Sequence, residues 1–152
     1  MKLRIEFVGD DAECEEVVIR CRELTPLISE LQKLIAEKTA DLPDVAFYRD
    51  GVEYFFPISD VLFFETDSDT VYAHTVSEAY KTEFKLYELQ KILPPRFIRV
   101  SKSTIANVRH ILSINKNLTS SSLVQFHKSH KQVYVSRMYY KDLKHRLISE
   151  RY

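Results

Sequence analysis

FIRVSKSTIANVRHI, residues 97–111, sets a polar knot, Ser101-Lys102-Ser103, between two apolar runs. Phe97 to Val100 reads as the end of a strand, with Arg99 at an alternating position. Ser101 then stands where a helix N-cap belongs, and Ser103 to Asn107 reads as one or two helical turns starting there. On that reading the corner offers free backbone N–H groups, two hydroxyls and a lysine, the makings of a phosphate site. The same grammar returns in VYVSRMYY, residues 133–140: a strand, Ser136 as N-cap, Arg137, then a helix.

Charge gives these corners their context. The 152 residues have a formal net charge of zero, but the charge is not spread evenly. Residues 1–45 carry six Lys/Arg against eleven Asp/Glu, a net −5. Residues 46–95 carry four against nine, again −5, and residues 96–152 carry twelve against two, a net +10. A basic third of that strength suits a polyanion, although a solvated face balanced by the acidic segments has the same composition. The N-terminus lacks the apolar core of a signal peptide, and no apolar run approaches the ~18 residues of a membrane span. Cys14 and Cys21 are too few for a disulfide framework and read as reduced thiols. A cytoplasmic protein is the expectation.

Outward from residue 97 the pattern is mostly β with flanking helices. Asp50-Gly51 between alternating runs marks a two-residue hairpin. VLFFET (61–66), TVYAHTV (70–76) and AYKTEFK (79–85) continue as strands, and LYELQKILPP (86–95) is a short helix stopped by Pro94-Pro95. HILSIN (110–115), SSLVQFH (121–127) and QVYVS (132–136) are further strands, and the sequence ends on a basic helix. Upstream, KLRIEFV (2–8) and EEVVIRCR (15–22) read as strands. A helix follows, with Thr25 as N-cap and Pro26 at its first position. DLPD (41–44) breaks that helix, dividing the protein into a ββα unit, 1–44, and a larger domain, 45–152. Leu27, Ile28, Leu31, Leu34 and Ile35 form one stripe at helical period, for packing on the preceding hairpin or for pairing with a second copy.

Catalytic readings fare poorly. Asp67-Ser68-Asp69-Thr70 after an apolar strand has the look of a phosphotransferase loop with paired carboxylates for Mg²⁺. That chemistry needs a helix and a parallel sheet behind it, whereas here another strand follows at once, so a polar hairpin turn is expected. His127 and His130 sit among lysines with no Cys or carboxylate near, a basic turn rather than a metal site. Ser101 and Lys102 are adjacent, and adjacent residues of a strand or helix point apart. With Gly9 and Gly51 the only glycines, no phosphate-cradling loop exists. Neither an enzyme nor a cofactor or metal is expected.

FIRVSKSTIANVRHI followed by KQVYVSRMYYKDLKHRL resembles the LytTR DNA-binding domain of bacterial transcription regulators, and ISDVLFFET is similar to that family's first signature. The resemblance spans roughly residues 45–150 with three signatures in order. It implies an elongated, mostly β fold whose loops, rather than a recognition helix, enter successive major grooves of double-stranded DNA. Carried over by position, Lys102 is a base- or phosphate-contacting residue, flanked by Ser101 and Ser103, and Arg137 with Ser136 belongs to a second contact loop. Asp67 to Thr70 match a third. Asp69 there could accept from a cytosine amino group, with Thr70 beside it. Arg99 is a weaker contact, and Asn107 matches an asparagine read as a backbone cap. About 45 residues precede the domain, too short for a receiver domain. The resemblance further implies paired direct repeats in promoters, a homodimer, and a small membrane protein encoded nearby as partner. The competing reading is an oligomeric protein-interaction module using the basic face.

Overall fold

In the computed structural model, which describes residues 18–39 and 45–151, Asp50 and Gly51 both take positive φ, 51° and 77°. That turn joins β1 (Phe47–Arg49) to β2 (Val52–Tyr54) in antiparallel register, Arg49 opposite Val52. A second turn of the same kind, with Ser68 at 49° and Asp69 at 68°, joins β3 (Phe63–Asp67) to β4 (Thr70–His74). The backbone twist of such turns suits the twist of the strands they join. The Asp67–Thr70 stretch is therefore a hairpin turn, as its residues suggested.

Helix α2 (Leu86–Ile92) follows β5 (Ala79–Thr82), its first turn held by Lys85 N–H donating to Glu88 Oε1 at 3.0 Å. Then the fold departs from the sequence reading. Thr104–Asn107 is not helical but strand β7, paired antiparallel with β6 (Phe97–Ser101) across a Lys102-Ser103 turn. All four β7 residues are buried. Its opposite edge pairs with β3, giving a seven-stranded sheet ordered β2-β1-β5-β4-β3-β7-β6. A three-stranded sheet, β10-β9-β8, is built from β8 (Ile111–Asn115), β9 (Ser122–Phe126) and β10 (Gln132–Val135), before helix α3 (Arg137–Arg151).

The centre of the large sheet is covered on both faces, because successive strand residues point opposite ways. Phe64, Val71, Ala73, Phe97 and Ile105 pack on one side with Leu86 and Leu89 of α2. Phe63, Val100 and Ala106 face the other side, against Val124, Phe126, Val133 and Val135 of the small sheet and Leu143 of α3. Each fully buried Phe or Leu contributes about 1.5–3 kcal/mol. Buried Asn107 stitches the layers: its Nδ2 donates to Val61 O at 3.0 Å and its Oδ1 accepts from Arg109 N at 3.1 Å, capping the 3-10 turn Val108–His110.

By contact the protein divides into two compact units, Met1–Ala40 and Asp41–Tyr152. In the first, helix α1 (Pro26–Thr39) starts as its residues dictate, with Ile28 N–H donating to Thr25 Oγ1 at 3.3 Å. Of its stripe, Ile28 is buried, while Leu27 and Leu34 are 52% and 49% exposed. The strand read at 2–8 lies outside the described residues, as does the start of the one at 15–22; Val18–Arg22 belong to no strand.

Candidate nucleic-acid interface

Three loops distant in sequence meet at one end of the large domain. Register does the first part: β3 pairs with β7, Glu65 opposite Thr104, so the β3–β4 and β6–β7 turns leave the sheet side by side. Thr66 N–H donates to Ser103 O at 2.8 Å, tying the two turns together. Ser136 N–H donates to Val100 O at 3.0 Å, which brings the start of α3 to the end of β6. Ser136 O accepts from Tyr139 N–H at 3.0 Å, so Ser136 does stand in the cap position. Asp67–Thr70, Ser101–Thr104 and Ser136-Arg137 thus form one neighbourhood.

Lys102 and Arg137 are both exposed there, while Thr70 and Ser136 are half-buried. Ser101 turns its hydroxyl inward on its own hairpin. Its Oγ accepts from Ser103 N–H at 3.3 Å and lies 3.4 Å from Ser103 Oγ. Because β7 is a strand, no helix N-terminus opens at residue 103, and the run of free helix amides expected at that corner is absent. What the corner presents is a lysine and a serine on a tight turn. The guanidinium of Arg99 is engaged with the same turn: Nε donates to Ser101 O at 2.7 Å, Nη2 to Lys102 O, and Nη1 to Gln90 Oε1 of α2 at 3.3 Å.

The acidic turn carries its own counter-charge. Lys85 Nζ donates to Asp69 O at 2.9 Å, and Ser68 Oγ donates to Asp67 Oδ1 at 3.3 Å. The sequence reading missed Lys85. The signal was the β4–β5 hairpin itself, since pairing Val71 with Thr82 carries the backbone after β5 back to residue 69. Burial, followed by the Asp67 charge, pushes the Glu65 carboxyl above its ordinary value.

At the other end of β4 the chemistry is structural. His74 stacks on Phe63 with ring centroids 4.3 Å apart, its Nε2 lies 3.7 Å from Glu65 Oε2, and Lys131 Nζ is 3.3 Å from its Nδ1. Burial, aided by the Lys131 charge, lowers the His74 pKa to about 4. Ser129 Oγ donates to Val76 O at 2.9 Å, so the HKSHK turn is a dock between the two sheets. Among the described residues no group of His, Cys, Asp and Glu is placed to hold a metal, and no helix is long and apolar enough to cross a membrane.

A family model described as the LytTr DNA-binding domain matches residues 53–148. An HTH-type transcriptional regulator of Staphylococcus aureus strain NCTC 8325 / PS 47 is 37% identical over 101 residues, 66% of this protein and 67% of the relative. A second, from the bovine strain RF122 / ET3-1, is 38% identical over 101 residues, with the same 66% and 67% covered. Among solved structures, a LytTr DNA-binding domain from Bacillus cereus superposes with a TM-score of 0.62 at 26% identity, over 68% of this protein and 95% of that one. With a sheet-rich fold that matches this domain in three dimensions and its signatures present in sequence, the protein belongs to the LytTR family of DNA-binding transcription regulators.

Proposed function

We propose that the three converging turns read double-stranded DNA as a unit, with Lys102 and Ser103 on one loop, Arg137 and Ser136 on a second, and Asp69 and Thr70 on a third. The observation that supports this most is the pair of backbone hydrogen bonds, Thr66 N to Ser103 O and Ser136 N to Val100 O, that gather the loops. Among the described residues no two helices follow each other across a short turn, so a helix-turn-helix reading has no element to rest on. Arg137 has the fork geometry for the O6 and N7 atoms of a guanine, and Asp69 can accept from a cytosine amino group. Lys102, a point charge on a flexible stem, serves phosphate and sets register.

The larger assembly follows the same reading. Residues 45–152 bind DNA and residues 1–44 form a homodimer, so two copies occupy paired direct repeats in a promoter, with affinity raised because the second contact is intramolecular. The protein works in the cytoplasm, and a small membrane protein encoded nearby holds it; co-fractionation with membranes from native cells tests that partner. Selection from randomised duplexes, followed by titration against salt, tests the DNA reading. Release of ~5 counterions predicts a log–log slope near −4 to −5. Absence of any enriched duplex, with no binding at low salt, would leave the basic face to a protein partner instead.

A further inference from the structure

We infer that Arg99 is a positioning residue that sets the Lys102 loop for DNA, rather than a DNA contact itself. This deepens the interface reading and rests on it. A two-residue turn between β6 and β7 must hold Lys102 outward, yet its residues offer little rigidity: neither is Gly, Asn or Asp, and the hairpin shifts register between Arg99 and Ser101. Arg99 closes that gap. Its Nε and Nη2 donate to the carbonyls of Ser101 and Lys102, the two peptide groups that fix where Lys102 projects. Nη1 reaches Gln90 Oε1 on α2, so the clamp is anchored to an element packed against the core.

A guanidinium suits this work because its donors lie in one rigid plane and serve several acceptors at once, whereas an ammonium would reach one or two. Its charge-assisted bonds to carbonyl oxygens are of the stronger kind. The three donors used here point at protein oxygens and are unavailable to phosphate in this conformation. Ser103 O, the next carbonyl along, accepts from Thr66 N–H, so the clamp also steadies the joint with the acidic turn.

Charge-keeping and charge-removing variants separate the two roles. If Arg99 positions, Arg99→Lys and Arg99→Gln should each weaken specific DNA binding by about tenfold, equivalent to about 1.4 kcal/mol. Either substitution should add little in a Lys102→Ala background, because both act through one side chain. Thr66 amide exchange should quicken in both variants. If Arg99 instead contacts phosphate, Arg99→Lys should bind like the parent, and Arg99→Gln should be additive with Lys102→Ala, each shortening the salt slope by about one; that result overturns the assignment. Parent-like binding by Lys102→Ala would defeat the contact reading itself. The clamp would then stand or fall on exchange alone, and unchanged Thr66 protection in Arg99→Gln would refute it.

Discussion

Arg137 and Lys102 are exposed at the same end of the large domain but differ in what a guanidinium and an ammonium can do on a duplex. A bidentate arginine on guanine carries sequence information, so Arg137→Ala should cost about 1–3 kcal/mol and relax preference at one base pair. Lys102→Ala should weaken all sequences alike and shorten the salt slope by about one unit. Competition binding against single-base variants of a selected site, repeated at several salt concentrations, checks both. The two cationic corners were visible in the sequence, because Ser-Lys-Ser and Ser-Arg sit at the ends of obvious strands. Their convergence was not legible, since it depends on β7 inserting between β3 and β6 and on two hydrogen bonds between residues far apart in sequence.

At the scale of elements, strand β7 shows why part of the fold escaped a pattern reading. A strand buried on both faces has no alternation of apolar and polar residues, and Thr104-Ile105-Ala106-Asn107 after two serines imitates a capped helix. The Asp50-Gly51 hairpin was plain because its signal is local turn chemistry. Asn107 at the end of β7 should be expensive to remove: Asn107→Ala leaves Val61 O and the 3-10 turn without their partner, for a loss of about 1–3 kcal/mol in chemical denaturation. Strand β4 has a pH dependence of its own. The His74 pKa is held near 4 in the folded protein, below its ordinary value near 6.5. Unfolded molecules therefore take up a proton that the folded ones refuse. The stability owed to neutral His74 is complete above about pH 6.5 and falls away as pH drops toward about 4. Glu65, whose carboxyl is shifted upward, offsets part of this at the acid end. Denaturation midpoints for the parent should decline across that window, and His74→Phe should flatten the decline; an unchanged profile would assign the acid sensitivity to other groups.

For the whole molecule, the contrast between the acidic first 95 residues and the basic last 57 is a contrast within one domain as well as between units. The Glu78 carboxylate pairs with Arg49 at 2.5 Å, tying β1 to the start of β5, and the Glu78 backbone carbonyl accepts from Lys131 Nζ at 2.5 Å, tying that same point to the small sheet. Helix α1 bears on assembly. Leu27 and Leu34 are about half exposed, and the proposed dimer would cover them. Replacing Leu31 and Leu34 with Glu should convert a dimer to a monomer in sedimentation while leaving the thermal unfolding of residues 45–152 unchanged. A parent protein that sediments as a monomer at tens of micromolar without DNA would make the stripe intramolecular.

The ties that gather the three loops join backbone N–H to backbone carbonyl oxygen, and such bonds are blind to the side chains on either side of them. Positions 102 and 137 can therefore change residue type without loosening the scaffold that presents them, whereas position 69, at a φ of 68°, favours Asp, Asn or Gly. The architecture separates folding information from addressing information. On the proposed reading of the loops, one frame is redirected to new operators by substitutions at a few turn positions, with no insertion, deletion or repacking of either core.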